Sequence, residues 1–192
     1  MEALPPPDTS GDVSLEQALV RRRSVRSFSD STLSRKQTGQ ILFAAQGVTQ
    51  PGTGYRTAPS AGATYPLETY AFTPEGVYKY APAEHAIELV KNRDLRKELS
   101  AAALGQRFVR NAPLVVVFTA VNKRTTQRYG GRGVRYVHME AGHVAQNIHL
   151  QAVALGLGSV PVGAFDDDEV REVLDCKGEE PLYIVPVGFP AQ

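Results

Sequence analysis

The sequence predicts a layered domain of the α/β or α+β class, in which helices and strands intermingle around a mixed sheet. The apolar run from Leu114 to Val121 has the length and continuity of a strand that is covered on both faces. Along residues 137–155, apolar side chains recur at steps of three and four, which indicates a long amphipathic helix. The 192 residues contain no internal repeat, so we expect a single domain over residues 13–192, preceded by a flexible N-terminal arm at residues 1–12.

Capping signals predict the first two helices. Residues 14–17 (SLEQ) have the spacing of a capping box, which predicts a short helix to about Arg22. Residues 34–37 (SRKQ) repeat this signal before an apolar stripe that reaches Val48. Residues 50–66 are dense in Gly, Pro, Ser and Thr, so we expect a long loop there.

The middle of the chain predicts a hairpin followed by a helix. Residues 67–73 alternate like a strand, and a turn at residues 74–76 joins them to a second strand at residues 77–80. Asp94 can cap a helix that extends through Leu104.

After the buried strand, residues 124–133 predict a polar, glycine-containing loop, and the long helix is expected to close at Gly156. The last predicted elements are an extended segment at residues 158–165, a short helix from Asp166 or Asp167 to Leu174, and a buried strand at residues 182–187.

Composition excludes several classes of protein. Lys and Arg number 21 against 20 Asp and Glu, a balance that argues against a protein whose main role is to coat nucleic acid. No apolar run approaches the ~20 residues that span a bilayer, and the start has no signal-peptide pattern, so we expect a cytoplasmic protein. The single cysteine, Cys176, excludes an intramolecular disulfide and a CxxC motif.

Residues 21–26 (RRRSVR) hold four arginines and a serine. Arginine neutralises a phosphate and binds it in a bidentate manner, and on a continued helix Arg22 and Arg26 would share a face. Three interpretations stay open for the segment: a solvated helix end, a site for the phosphate of a small ligand, or a contact with nucleic acid.

Two further segments are rich in small residues. In residues 58–66 (APSAGATYP), small side chains let backbone amides approach a flat ligand, although a simple tight loop explains them too. Residues 156–165 (GLGSVPVGAF) contain a GxG that follows a helix and lacks the third glycine, so a Rossmann fingerprint is not supported. The chain has no GxxxxGK[ST] motif, which argues against a Walker-type NTPase.

The sequence offers no metal site and no hydrolytic nucleophile. His138, His143 and His149 are five and six residues apart on the long helix, about 140° and 240° around its axis, so they cannot converge on one ion. We find no GxSxG motif and no Cys–His arrangement. A cofactor therefore explains the chemistry best.

Taken in order, four segments resemble the FMN-dependent nitroreductase family, and within it the branch of azoline dehydrogenases that form thiazole and oxazole rings. They are residues 22–28 (RRSVRSF), 59–68 (PSAGATYPLE), 135–165 with its RY, EAGH, QN and ALGLGSVPVGAF motifs, and 183–190 (YIVPVGFP). The ordered set covers about residues 15–190.

The resemblance implies an α+β fold with three α/β/α layers and a mixed, mainly antiparallel central sheet. It also implies a homodimer with FMN in the interface, small-molecule substrates and no nucleic-acid or membrane partner. The residues that it places at FMN are Arg22, Arg23, Ser24 and Arg26 at the phosphate and ribityl tail, Pro59, Ser60, Ala61 and Gly62 of the partner subunit at the ring, Gly163 and Ala164 near N5 and O4, and Gln106 at the pyrimidine edge.

The resemblance further implies a ping-pong reaction, in which NAD(P)H visits transiently and reduces FMN at N5, and small electron-poor acceptors such as nitroaromatic or quinone-like compounds then take the hydride. Two alternatives are a peptide azoline dehydrogenase and a non-catalytic flavin-binding protein. The azoline branch has a Lys-Tyr pair ahead of the long helix, where this chain has Arg128 and Tyr129. An Arg cannot readily act as the base that a Lys can become, which argues against peptide azoline oxidation. Two interpretations stay open for Arg128 and Tyr129: ordinary polar residues of a loop, or a functional pair in which Tyr129 is the candidate catalytic side chain and would orient or protonate a substrate.

Overall fold

One seven-stranded sheet forms the centre of the computed structural model, which describes residues 1–50 and 52–191. The strand order is β1-β6-β5-β4-β7-β9-β8, and neighbouring strands pair antiparallel. The strands of this sheet are β1 (Glu2–Ala3), β4 (Leu67–Thr73), β5 (Gly76–Ala81), β6 (Ala86–Lys91), β7 (Leu114–Ala120), β8 (Gly158–Ser159) and β9 (Glu180–Gly188). A separate two-stranded ribbon pairs β2 (Val48–Gln50) with β3 (Tyr55–Arg56).

Helices cover both faces of the sheet. They are α1 (Leu15–Arg21), α2 (Arg35–Gln46), α3 (Arg96–Ala102), α4 (Arg107–Asn111), α5 (Lys123–Tyr129), α6 (Arg132–Ala154) and α7 (Asp167–Leu174). On one face, α2 and α6 pack against alternate residues of β7 such as Val116 and Phe118. On the other face, α3, α4 and α7 pack against Val115 and Val117. β7 is therefore buried on both sides, as predicted, and the expected α+β fold with three layers is confirmed.

The predicted helix starts agree with the structure because polar side chains cap them. Ser14 Oγ accepts from the Gln17 backbone N–H, and residues 34 and 37 form a complete capping box. Asp166 caps α7 in the same way. Asp94 accepts from the N–H of Arg96, but the N-cap of α3 is Leu95, which makes no side-chain cap, and α3 ends at Ala102 instead of Leu104.

The predicted loop at residues 124–133 is wrong. Residues 123–129 form α5, and Gly130, with φ +57°, ends it. Lys, Arg and Gln are good helix formers, and the helix buries Thr125, half-buries Thr126 and Tyr129 and exposes its other side chains. The sequence of these residues is polar because only a narrow face of α5 packs against the rest of the domain.

The N-terminal segment lies against the domain, in contrast to the flexible arm predicted at residues 1–12. Leu4 is buried, β1 adds to the sheet beside β6, and Asp8 N–H donates to Gln40 Oε1 at 2.8 Å. Leu4 is the one leucine that anchors the segment, and a single apolar residue has no periodicity from which this packing could be predicted. The sequence also missed β6, whose residues 88–90 are exposed.

The predicted loop at residues 50–66 contains the short strand β3 and a 3₁₀ turn at Ala61–Ala63, and Val48 belongs to β2 instead of the second helix. Pro51, within that loop, and Gln192 lie outside the described residues. In the described ranges, no helix has the length and apolar character to cross a membrane.

Candidate functional site

Residues 22–26, which we call the arginine segment, follow α1 and lie along the edge strand β8. Ser24 forms a parallel bridge with Ser159, and the Val25 N–H donates to Ser159 O at 3.0 Å. A Cβ on Gly158 would lie 2.6 Å from Val25 Cβ, so only glycine permits this close approach. These contacts hold the backbone of residues 24 and 25 in place, so the arginine segment has a fixed position after α1.

The four predicted phosphate ligands differ in their freedom to bind. Arg23 Nη1 already donates to the carbonyl oxygens of Val20 and Arg22, at 2.8 Å each. Arg22 is half-buried, whereas Ser24 and Arg26 are exposed. In the described part of the chain, no carboxylate forms an ion pair with Arg22, Arg23 or Arg26. The segment therefore carries uncompensated positive charge.

A buried histidine lies behind this segment. His149 is 5% exposed, and its Nδ1 is 2.8 Å from Ser159 Oγ. Burial, and to a smaller extent the nearby charge of Arg22, lower the pKa of His149 to about 4. The imidazole is thus neutral at neutral pH, so the positive charge of this region comes from the arginines.

Residues 57–62, which we call the 57–62 loop, run along α6. Thr57 O accepts from Asn147 Nδ2 at 3.3 Å, and Pro59 O lies 3.4 Å from His143 Nδ1. Ser60 follows and lies against Glu140. Gly62 has φ +61°, a conformation that favours glycine, and the turn exposes its backbone.

The structure brings Tyr129 to the 57–62 loop. Arg128 Nη1 donates to Gly62 O at 3.3 Å, and a Cβ on Gly62 would lie 2.6 Å from the Tyr129 hydroxyl oxygen. Tyr129 is fixed from the other side by an edge-to-face contact with Tyr136, with ring centroids 5.2 Å apart. Residues predicted from separate motifs, Pro59 to Gly62 and Tyr129, therefore share one surface.

Gln106 and Ala164 also lie together. Gln106 Nε2 donates to Ala164 O and to Ala103 O, at 2.9 Å each, which leaves its Oε1 as an acceptor. Gly163 and Ala164 are exposed, and in the described residues neither backbone N–H donates to a protein acceptor. One extended stretch, residues 158–164, thus links this surface to the arginine segment.

The 57–62 loop and the arginine segment lie apart within one chain. The loop contacts α6 at Glu140, His143 and Asn147, and the arginine segment is backed by His149. At about 100° per residue, His149 points about 120–180° away from these three positions, so the two surfaces lie on opposite faces of α6.

The buried polar residues behind these surfaces were not predicted from the sequence. Glu140 is 2% exposed, and burial raises its pKa to about 7, although Ser60, Gln46 and Arg56 act in the opposite direction. His149 and Ser159 were likewise missed. Each is a single polar residue at an apolar helical or strand position, which is the one signal that could have revealed them.

With this geometry established, comparison with known proteins defines the class. The chain belongs to the nitroreductase family, whose family model matches residues 19–189. It is therefore an oxidoreductase of that family.

Individual relatives agree with this assignment. A nitroreductase-family protein of Methanocaldococcus jannaschii is 51% identical over 183 residues, covering 92% of this chain and 91% of the relative. A Bacillus subtilis protein named FMN reductase [NAD(P)H] is 24% identical over 194 residues, and the match spans 91% of this chain but 65% of that relative.

Two solved structures have folds similar to that of this chain. A nitroreductase-family structure from Ralstonia eutropha superposes with a TM-score of 0.90 and 34% identity, covering all of this chain and 90% of that one. A chain of the E. coli microcin synthetase McbBCD complex with truncated pro-MccB17 bound has a TM-score of 0.79 and 25% identity, covering all of this chain and 79% of that one.

Proposed function

We propose that this chain is an FMN-dependent oxidoreductase that passes hydride from NAD(P)H to small electron-poor acceptors, such as nitroaromatic or quinone-like compounds, in a ping-pong reaction. The observation that carries the proposal is the uncompensated arginine segment, held on β8 and continuous with the free amides of Gly163 and Ala164. The similarity to a protein named FMN reductase [NAD(P)H] supports this choice of cofactor and reductant.

The phosphate of FMN fits the arginine segment. A dianion needs charge neutralisation and short donors, which Arg22, Ser24 and Arg26 offer without competing carboxylates in the described residues. Arg23 contributes its charge, while its Nη1 closes the end of α1.

The ring fits the surface at residues 163 and 164. Exposed N–H groups at Gly163 and Ala164 can donate to N5 and O4, where the reduced ring gains electron density. Gln106 Oε1 can accept from the ring N3–H, because its Nε2 is already used to hold the Ala164 carbonyl. When bound, FMN supplies hydride transfer at N5, and the chain's own groups bind and orient it.

A homodimer accounts for the 57–62 loop. Since the loop lies on the opposite face of α6 from the arginine segment, Pro59, Ser60, Ala61 and Gly62 would reach the ring of the FMN held by the other subunit. Exposed apolar side chains on neighbouring helices support such an interface: Leu15, Leu19 and Val20 on α1, and Met139 on α6. In this arrangement Tyr129, beside Gly62, faces the substrate and would orient or protonate it.

A peptide azoline dehydrogenase is the second candidate. It is favoured by the similarity to a chain of the microcin synthetase complex and by the placement of Tyr129 at the 57–62 loop. Arg128 stands against it, because its guanidinium does not readily give up a proton and donates to Gly62 O.

Visible spectroscopy of the purified protein, before and after anaerobic NADPH or NADH, tests the proposal. Flavin absorption that bleaches with either nucleotide and returns with a quinone is the expected result. Bound flavin that does not bleach would favour the peptide dehydrogenase or a non-catalytic flavin protein. A colourless protein that fails to bind added FMN would overturn the proposal.

A further inference from the structure

A buried polar cluster lies beneath the 57–62 loop and has no role in the proposed chemistry. It consists of Gln46 at the end of α2, Arg56 of β3 and Glu140 of α6. Gln46 is 0% exposed and Glu140 is 2% exposed. Arg56 Nη1 donates to Gln46 Oε1 at 2.7 Å, and the guanidinium carbon lies 4.4 Å from the centre of the Tyr65 ring.

The hydrogen bonding of this cluster is incomplete. Within the described residues, Gln46 Nε2, Arg56 Nε and Glu140 Oε1 are buried without a partner. Buried polar atoms are normally paired, and here two donors and one acceptor lie unpaired in the same cluster. A small rearrangement, or the entry of water, would pair them.

The cluster is connected to the loop above it. Ser60 lies against Glu140, and its Oγ accepts from the Tyr65 N–H at 2.9 Å. The Tyr65 hydroxyl in turn accepts from the Arg56 N–H at 3.2 Å. A change at Glu140 therefore reaches the loop through Ser60 directly and through Arg56 and Tyr65 indirectly.

We propose that Glu140 is a positioning residue for the 57–62 loop. Its neutral carboxyl group holds the loop against α6, and its ionised form favours a second arrangement, in which the loop lifts and water reaches the carboxylate. The proposal rests on the proposed function only where it assigns the loop to the flavin ring.

Proton linkage determines in which direction a change of pH shifts the loop between its closed and lifted arrangements. Burial raises the pKa of Glu140 from the ordinary 4.5 to about 7 in the closed arrangement. Lifting the loop hydrates the carboxylate and returns its pKa toward the ordinary value, so the closed form binds the proton more tightly. Opening therefore increases as the pH rises from about 4.5 to about 7, and it levels off above that.

Other charged or titratable groups face the same region. Arg56 is close enough to interact electrostatically with Glu140, Tyr65, Glu68 and Arg124. His143 of α6 contacts Pro59 O, and Arg128 of α5 contacts Gly62 O. His143 needs its own control, because its imidazole also contacts the loop directly.

Amide hydrogen exchange of residues 57–65, without added FMN and corrected for intrinsic rates, measures this opening from pH 5 to pH 8. In the wild type, the opening equilibrium should rise at least about tenfold between pH 5 and pH 7. Glu140→Gln, the neutral isostere, should abolish the rise, and His143→Gln should retain it. Ser60→Ala removes the loop side chain that lowers the pKa of Glu140, so the rise should continue above pH 7.

A flat wild-type profile would overturn the proposal, as would a rise that survives in Glu140→Gln or disappears in His143→Gln. Saturating FMN at pH 7 separates this result from the proposed function. If FMN slows exchange in the loop, the flavin covers it. If the rise depends on Glu140 but FMN has no effect on exchange, the placement of the loop at the flavin fails and the role of Glu140 stands.

Discussion

Arg22 is the arginine on which phosphate binding should depend most. It is half-buried at the end of α1, beside the fixed contact of residues 24 and 25 with β8, so its charge is less screened by water than that of exposed Arg26. Arg22→Ala should cost about 1.5–3 kcal/mol of FMN binding, the loss of one charged hydrogen bond. Titration of the apoprotein with FMN should show a dissociation constant roughly tenfold to a hundredfold higher.

Arg93→Ala is the matched control, because Arg93 is exposed in the turn after β6, at the other end of the sheet from β8. It should leave FMN affinity unchanged. Equal losses for both variants would mean that net charge, and not a phosphate site at residue 22, determines binding.

His149 should make the fold sensitive to acid. Its pKa is lowered to about 4 in the folded protein from the ordinary 6.5, so below pH 6.5 the unfolded chain takes up a proton that the folded chain does not. The free energy of unfolding should fall by about 1–2 kcal/mol as the pH drops from about 6.5 to about 4, after allowance for solvent screening. Denaturant unfolding of wild type and His149→Asn over this range measures the effect. Parallel pH profiles for the two proteins would show that His149 does not contribute.

The crossing of α5 and α6 depends on Gly133. A Cβ at this position would lie 3.0 Å from the backbone of Thr126, so a larger side chain must separate the two helices. Gly133→Val should lower the free energy of unfolding by about 1–3 kcal/mol and displace Tyr129 from the 57–62 loop. Gly142→Ala on the exposed side of α6, where an added Cβ meets no atom within 4 Å, should be neutral or slightly stabilising by thermal unfolding. If both variants melt alike, the helices do not need this close contact.

Elements that follow from capping and from continuous apolar runs could be predicted, because those signals are local. α2, β7 and α7 are of this kind. α5 could not, since a helix that buries little more than Thr125 has almost no apolar periodicity. Within the candidate site, the arginine segment and the glycine-containing residues 58–66 and 156–165 could be identified from the sequence. Their neighbours Glu140 and His149 could not, because burial of one polar side chain is a property of tertiary packing.

At the scale of the whole molecule, the exposed apolar surface of α1 should determine the oligomeric state. Leu19 is 52% exposed on a helix that packs beside α6. Leu19→Asp would place a charge in the proposed interface, so sedimentation should show a shift from dimer to monomer, with loss of bound FMN. Leu89, 48% exposed on β6, provides the control Leu89→Asp, which should remain dimeric. A monomeric wild type would contradict the dimer directly.

Because the two surfaces lie on opposite faces of α6, a substitution in one subunit of the proposed dimer affects the two FMN sites differently. In the proposed dimer, each cofactor takes its phosphate ligands and the ring contacts at residues 163 and 164 from one polypeptide, and the 57–62 loop from the other. A mixed pair, with one copy altered at Arg22 and the other at Gly62, would concentrate both lesions in one pocket and leave the second pocket intact. The mixed dimer would therefore have about half of the normal activity, more than either altered homodimer, so the two variants would complement each other.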